Sequence, residues 1–191
     1  MPSNFLCDIH QHVAPGSGVH LANHALQGNA DDIADSPVLV PNDKIGRLNT
    51  MEAVLLGQQA DGSPSATALR ESLAQTKVTP KHATDLLVAF RQDATQRRYE
   101  TIDDLYAYCR YSAVPVGRYL LDLHGEAHEC YSSADALCIS LQVLNHMQDC
   151  AKDLAQLDRC YIPLQLLSHF GARVDDLRRD KETEQLRRVF V

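Results

Sequence analysis

The sequence predicts an all-α fold. Apolar residues recur at three- and four-residue spacing in one stretch after another, as they do along one face of a helix. Capping and breaking residues bracket those stretches. No stretch shows strand alternation, a hairpin turn or a tandem repeat. The chain has 191 residues, enough for one domain with a real core, and its 45% hydrophobic and 23% charged content is that of a soluble globular protein. A net charge of −7 argues against nucleic-acid binding through a basic surface. The six cysteines form no C-x-x-C pair, and Cys109, Cys138 and Cys150 lie inside helical patterns as small hydrophobes. That points to a reducing, cytoplasmic setting rather than a disulfide framework or zinc site. No apolar run approaches the roughly 18 residues of a membrane span, and no signal peptide is recognisable, so only peripheral contact with a bilayer stays open.

Taken in order, residues 1–29 form an atypical segment, expected to be disordered. They hold no Lys or Arg, a loop-like Pro15-Gly16-Ser17-Gly18, and His10, His12, His20 and His24. His10 and His12 lack the further ligands that a metal site needs. The helical domain is expected over 30–191. Asp31 and Asp35 share a face if Ala30 to Asp35 is helical, and Pro37 stops the helix there. Acidic residues at a helix C-terminus oppose the macrodipole, and such local violations tend to mark a site. The next helix runs from an Asn42 cap to Leu56 and is closed by Gly57. Ser65 to Lys77 is a short helix with Leu69 and Leu73 inward. Pro80 opens a helix to about Arg98, with Arg91, Arg97 and Arg98 suiting its C-terminus. Thr101 caps the following helix, with Asp104 completing a capping box. Pro115 kinks it, and Ser112, Ala113, Val116 and Gly117 either leave room for a long apolar ligand or allow close helix packing.

The longest helix is expected from Ser132 to about Leu157, with Leu137, Leu141, Leu144, Met147, Ala151 and Leu154 facing the core. Asn145, Asp149 and Asp153 follow at i, i+4 and i+8 on a neighbouring stripe. Carboxylates four apart repel unless a cation lies between them, and magnesium takes oxygen ligands and tolerates bound phosphate. Taken alone, one such pair is better read as a solvated acidic face. The second copy at Asp31 and Asp35 changes that. Two carboxylate sets facing each other across an apolar cavity suit an allylic diphosphate, whose charge magnesium neutralises while apolar walls hold the chain and the carbocation. A tyrosine ring stabilises positive charge through its π face.

The motifs Asp31-Asp32-Ile33-Ala34-Asp35, Tyr108-Cys109 with Val116-Gly117, Asn145-x-x-Gln148-Asp149-x-x-x-Asp153 and Arg159-x-Tyr161-x-Pro163 resemble, in that order, the squalene/phytoene synthase family. The run Tyr108 to Arg118 and the tetrapeptide Leu123-His124-Gly125-Glu126 resemble its bacterial hydroxysqualene synthase branch. The resemblance implies an isoprenoid-synthase helical bundle, here incomplete at both ends. It implies Asp31 and Asp35 as magnesium ligands at one diphosphate site, and Asn145, Asp149 and Asp153 at the other. Tyr108, Asp149 and Asp153 would carry catalysis, with Ser112, Val116, Arg118, Asn145, Gln148 and Arg159 lining the substrate site. The implied reaction ionises presqualene diphosphate, rearranges its cyclopropyl ring and lets water capture the cation as hydroxysqualene. Coupling of two farnesyl diphosphates to presqualene diphosphate or squalene is the sister reading. A catalytically inactive remnant, or a subunit that works against a partner synthase, is the reading from a different class. The stretch His20 to Asn29 departs from the family, which carries aromatic and basic residues there.

Overall fold

The computed structural model describes residues 18–178 and 183–190. They form nine α-helices: α1 Gly18–Asp35, α2 Pro41–Leu55, α3 Pro64–Leu73, α4 Lys81–Asp93, α5 Ile102–Ser112, α6 Val114–His124, α7 Tyr131–Leu157, α8 Leu164–His169 and α9 Glu184–Val189. Short 3-10 turns cover His128–Cys130 and Val174–Arg178. Among the described residues the only strand-like pairing is one isolated bridge between Arg98 and Cys160.

The expected disorder up to residue 29 meets α1, which begins at Gly18 and buries His20, Asn23, Leu26 and Gln27. The boundary expected at residue 29 falls inside this helix, and its apolar face shows why: Val19, Ala22, Leu26 and Ala30 join the core on α2, α3 and α4. His10 and His12 lie outside the described residues. The helix ends at Asp35, two residues before Pro37, as the proline requires.

Several boundaries differ from expectation. Val40, not Asn42, is the N-cap of α2, because Pro41 takes the first helical position. The helix α3 stops at Leu73, and α4 stops at Asp93 rather than near Arg98. The Thr101–Asp104 capping box forms as expected. Pro115 divides the following stretch into α5 and α6, with a non-helical Ala113 between them. The small residues there split in role. Gly117 packs so close to α7 that a Cβ would stand 2.6 Å from Cys138 Sγ, whereas Ser112 lines a cleft.

The core stripe of α7 is the main correction. Leu137 and Leu144 are 59% and 60% exposed. The buried face is Cys138, Gln142, His146, Cys150 and Leu154. Its polar members face a cleft instead of solvent, which turns the leucines outward. Leaving a leucine in water forfeits roughly 1.5–3 kcal/mol of burial.

Candidate active site

The cleft is built where the C-terminal turns of α1 and α4 meet the face of α7. Asp31, Asp35, Asp93, Tyr108, Ser112, Gln142, Asn145, His146, Asp149, Asp153, Arg159 and Tyr161 line it, with Leu86, Ala89 and Phe90 as apolar wall. Both acidic motifs therefore share one site. The stripe of Asn145, Asp149 and Asp153 on α7 follows from spacing alone, but its meeting with Asp31 and Asp35 of α1 is tertiary.

Local structure aims the key cation. The α7 helix ends at Asp158, which adopts the left-handed conformation (φ 52°). The chain then turns so that Cys160 N–H donates to Arg97 O and Leu164 N–H to Tyr99 O, both at 2.9 Å. This strap carries Arg159 and Tyr161 into the cleft. Arg97 and Arg98 donate to the carbonyls of Leu157 and Asp158. They cap α7, not the helix from which they were expected to hang.

Arg159 is only 4% exposed. Its Nη2 donates to Asp35 Oδ1 at 3.0 Å and to the Asp93 carbonyl at 2.9 Å, and its Nη1 donates to Tyr161 Oη at 3.2 Å. Those partners hold the guanidinium protonated against the cost of its burial. The hydroxyls of Tyr108 and Tyr161 each donate to one oxygen of Asp93 at 2.8 Å. The His146 ring stacks on Tyr161 with centroids 3.6 Å apart. Burial, then the nearby Arg159 charge, pushes the His146 pKa down to about 3, so the ring is neutral.

The carboxylates are crowded. Burial, then the Asp35 and Asp93 charges, pushes Asp31 up to about 7. Burial, then Asp149, pushes Asp153 up to about 6. Burial also raises Asp93 to about 6, against the opposing pull of Arg159 and the two tyrosines. Lys44 sits at the end of α1, donating to Ala34 O at 2.7 Å, where its charge complements the helix C-terminus.

Asp31, Asp35, Asn145, Asp149 and Asp153 offer hard oxygen donors with too little positive charge between them, the donor set that magnesium takes. Among the described residues no three His, Cys, Asp or Glu side chains gather closely enough to cage an ion. Magnesium is commonly held by one or two carboxylates and completed by water and substrate phosphates.

Of the expected site residues, Asp31, Asp35, Tyr108, Ser112, Asn145, Asp149, Asp153 and Arg159 all line the cleft. Three do not. Arg118 faces a separate cleft, where its Nε donates to Asp135 at 2.8 Å and its guanidinium lies over the Tyr131 ring. Val116 is buried in the packing, and Gln148 is exposed on the outer side of α7. Sequence reasoning missed Asp93, Gln142, His146 and Tyr161 as site residues. Asp93 carried the same signal as Asp31 and Asp35, an acidic residue in the last turn of a helix. Gln142 and His146 lie at i−3 and i+1 from Asn145 and were hidden by the choice of the leucine stripe.

Residues 20–191 match the squalene/phytoene synthase family, so the match includes the His20 to Asn29 stretch expected to depart from it. The hydroxysqualene synthase of Rhodopseudomonas palustris is 46% identical over 166 residues, which are 87% of this chain and 56% of that relative. The hydroxysqualene synthase of Sinorhizobium fredii is 47% identical over the same length and shares. The chain thus spans just over half the length of the curated relatives it matches. The crystal structure of squalene synthase HpnC from Alicyclobacillus acidocaldarius superposes with a TM-score of 0.74 at 32% identity, covering 97% of this chain and 75% of that one. With its all-α fold and its motifs gathered in one cleft, the chain belongs to the squalene/phytoene synthase family.

Proposed function

We propose that the cleft ionises presqualene diphosphate with magnesium and yields hydroxysqualene. The observation that carries this reading is that Asp31 and Asp35 line the same cleft as Asn145, Asp149 and Asp153, beside Tyr108. The 46% and 47% identity to hydroxysqualene synthases supports the choice of branch.

Bound at these carboxylates, magnesium would neutralise the diphosphate and improve it as a leaving group. The chain's own residues supply the rest. Arg159 holds Asp35 in place and keeps a fixed positive charge at the diphosphate end. Asp93 binds the hydroxyl protons of Tyr108 and Tyr161. Both phenols stay protonated, since burial lifts their pKa well above the usual tyrosine value. Their oxygens and ring faces are thereby set against the cleft, where a ring face stabilises a cation. Leu86, Ala89 and Phe90 give the cation no nucleophile.

A second reading is favoured by the outer face of α7. The cleft has a cavity volume of about 70 Å³, against roughly 300 Å³ or more for a pocket that encloses a drug-sized ligand. Leu137 and Leu144 stand in solvent nearby on the same helix. In this reading the described residues form the charged end of the site, and a further polypeptide segment covers the exposed leucines on the outer face of α7.

The test is an assay of the purified chain with magnesium, fed presqualene diphosphate or farnesyl diphosphate, with products read by mass spectrometry. Hydroxysqualene from the first substrate is the expected result. Product from farnesyl diphosphate alone would move the chain to the coupling branch. No product from a folded chain would favour the second reading. No helix among the described residues is long and apolar enough to cross a membrane.

A further inference from the structure

Two polar atoms inside the cleft take no part in the network around Asp93. Gln142 Oε1 is sealed from solvent and makes no hydrogen bond, and the same holds for Ser112 Oγ, apart from a weak contact with the Cys109 thiol. Gln142 is 4% exposed. Its Nε2 stands 3.2 Å from His146 Nε2, and exchanging the amide oxygen and nitrogen would only leave the other atom unpaired. A buried acceptor without a donor costs about 1–3 kcal/mol.

No protein donor nearby is free to satisfy both atoms. The hydroxyls of Tyr108 and Tyr161 are committed to Asp93, and the terminal nitrogens of Arg159 to Asp35, Tyr161 and the Asp93 carbonyl. Arg159 Nε also lacks a hydrogen bond, but it lies against Asp93, 3.8 Å from Oδ1. Both Gln142 and Ser112 line the cleft, whose volume has room for water. A water donating one proton to each acceptor satisfies both atoms and keeps its own lone pairs directed elsewhere.

We infer that Gln142 and Ser112 hold the water that captures the substrate cation. This rests on the reading given under Proposed function. Gln142 lies seven residues before Asp149 on α7, about 10 Å along the axis at 1.5 Å per residue. Gln142 also lies one turn, about 4.5 Å along the axis, before Asn145 on the same helix, so the departed diphosphate is within reach of the proton that capture releases. The water oxygen forms the new C–O bond to the cationic carbon. One water O–H bond breaks, and its proton passes through the cleft to the departed diphosphate, which already holds the electron pair of the broken C–O bond. No oxidant or reductant is needed. An aligned acceptor pair favours this addition over loss of a proton from carbon, so Gln142 sets alcohol against hydrocarbon as product.

The experiment has two arms. In the first, crystals of the substrate-free chain are examined for an ordered water within hydrogen-bond distance of Gln142 Oε1. In the second, Gln142→Leu and Ser112→Ala are assayed with presqualene diphosphate in oxygen-18 water. Gln142→Leu is expected to lower the ratio of labelled alcohol to hydrocarbon about 10-fold. Ser112→Ala, with little change in volume, is expected to move it the same way by a smaller factor and serves if Gln142→Leu fails to fold. An unoccupied Gln142 site in an active wild type, or an unchanged product ratio in both variants, overturns this inference alone. A wild type that makes no hydroxysqualene removes the functional reading beneath it.

Discussion

Arg159 Nη2 lies 3.0 Å from Asp35 Oδ1, across 124 positions of sequence. This contact ties the strap after α7 to the end of α1, and through Arg159 it reaches Asp93 and both buried tyrosines. The cation is the keystone of the cleft, because it is the charge that offsets a buried acid and an acidic helix end.

Arg159→Met is therefore expected to destabilise the protein by about 3–5 kcal/mol, since it leaves Asp93 buried without its counter-charge. Urea unfolding monitored by circular dichroism measures it. A loss below 1 kcal/mol would mean that the guanidinium does not hold the cleft together.

Asp149→Asn should behave in the opposite way. It removes a charge that Asp153 feels as repulsion, so the metal-free variant should melt at or above the wild-type temperature, while turnover falls at least about 100-fold. Gln148→Ala, on the outer side of the same helix, should leave the melting temperature unchanged and turnover within about 2-fold. Equal losses in the two variants would show that α7 is seated on the wrong face.

The raised carboxylates give the pH dependence a definite sign. An unfolded aspartate titrates near 3.9, whereas Asp93 and Asp153 lie at about 6 and Asp31 at about 7. Between these values the folded state binds more protons than the unfolded one. Their contribution to stability is full below about pH 4 and is lost as pH rises through 6 to 7. In chelator, the urea midpoint should be higher at pH 5 than at pH 7.5, and Asp31→Asn should flatten that slope. A slope identical in wild type and variant would remove Asp31 as its source.

The reassigned face of α7 has its own test. Leu144→Glu should change stability by less than about 0.5 kcal/mol, because that leucine already stands in solvent. Leu154→Ala, at a fully buried position, should cost about 2–5 kcal/mol. Comparable losses at the two positions would return Leu144 to a core.

The sequence by itself determined the all-α class, the length of α7 to within one residue at its start, the capping box at Thr101, the break at Pro115 and the stop before Pro37. These are local matters, decided by backbone geometry within a turn or two. It also determined which acidic side chains share a helix face, since 3.6 residues per turn places Asn145, Asp149 and Asp153 together. Only the tertiary structure decided which face of α7 is buried. Two stripes were available, one of leucines and one carrying Gln142 and His146, and hydrophobicity alone favours the leucines. The polar stripe turns inward because Tyr108 and Tyr161, brought from two other parts of the chain, pack their rings on His146 and make its burial tolerable. The same reason explains Arg118 and Arg97. A long cationic side chain goes to whichever carboxylate or helix end the fold brings within its reach, and no local rule names that partner.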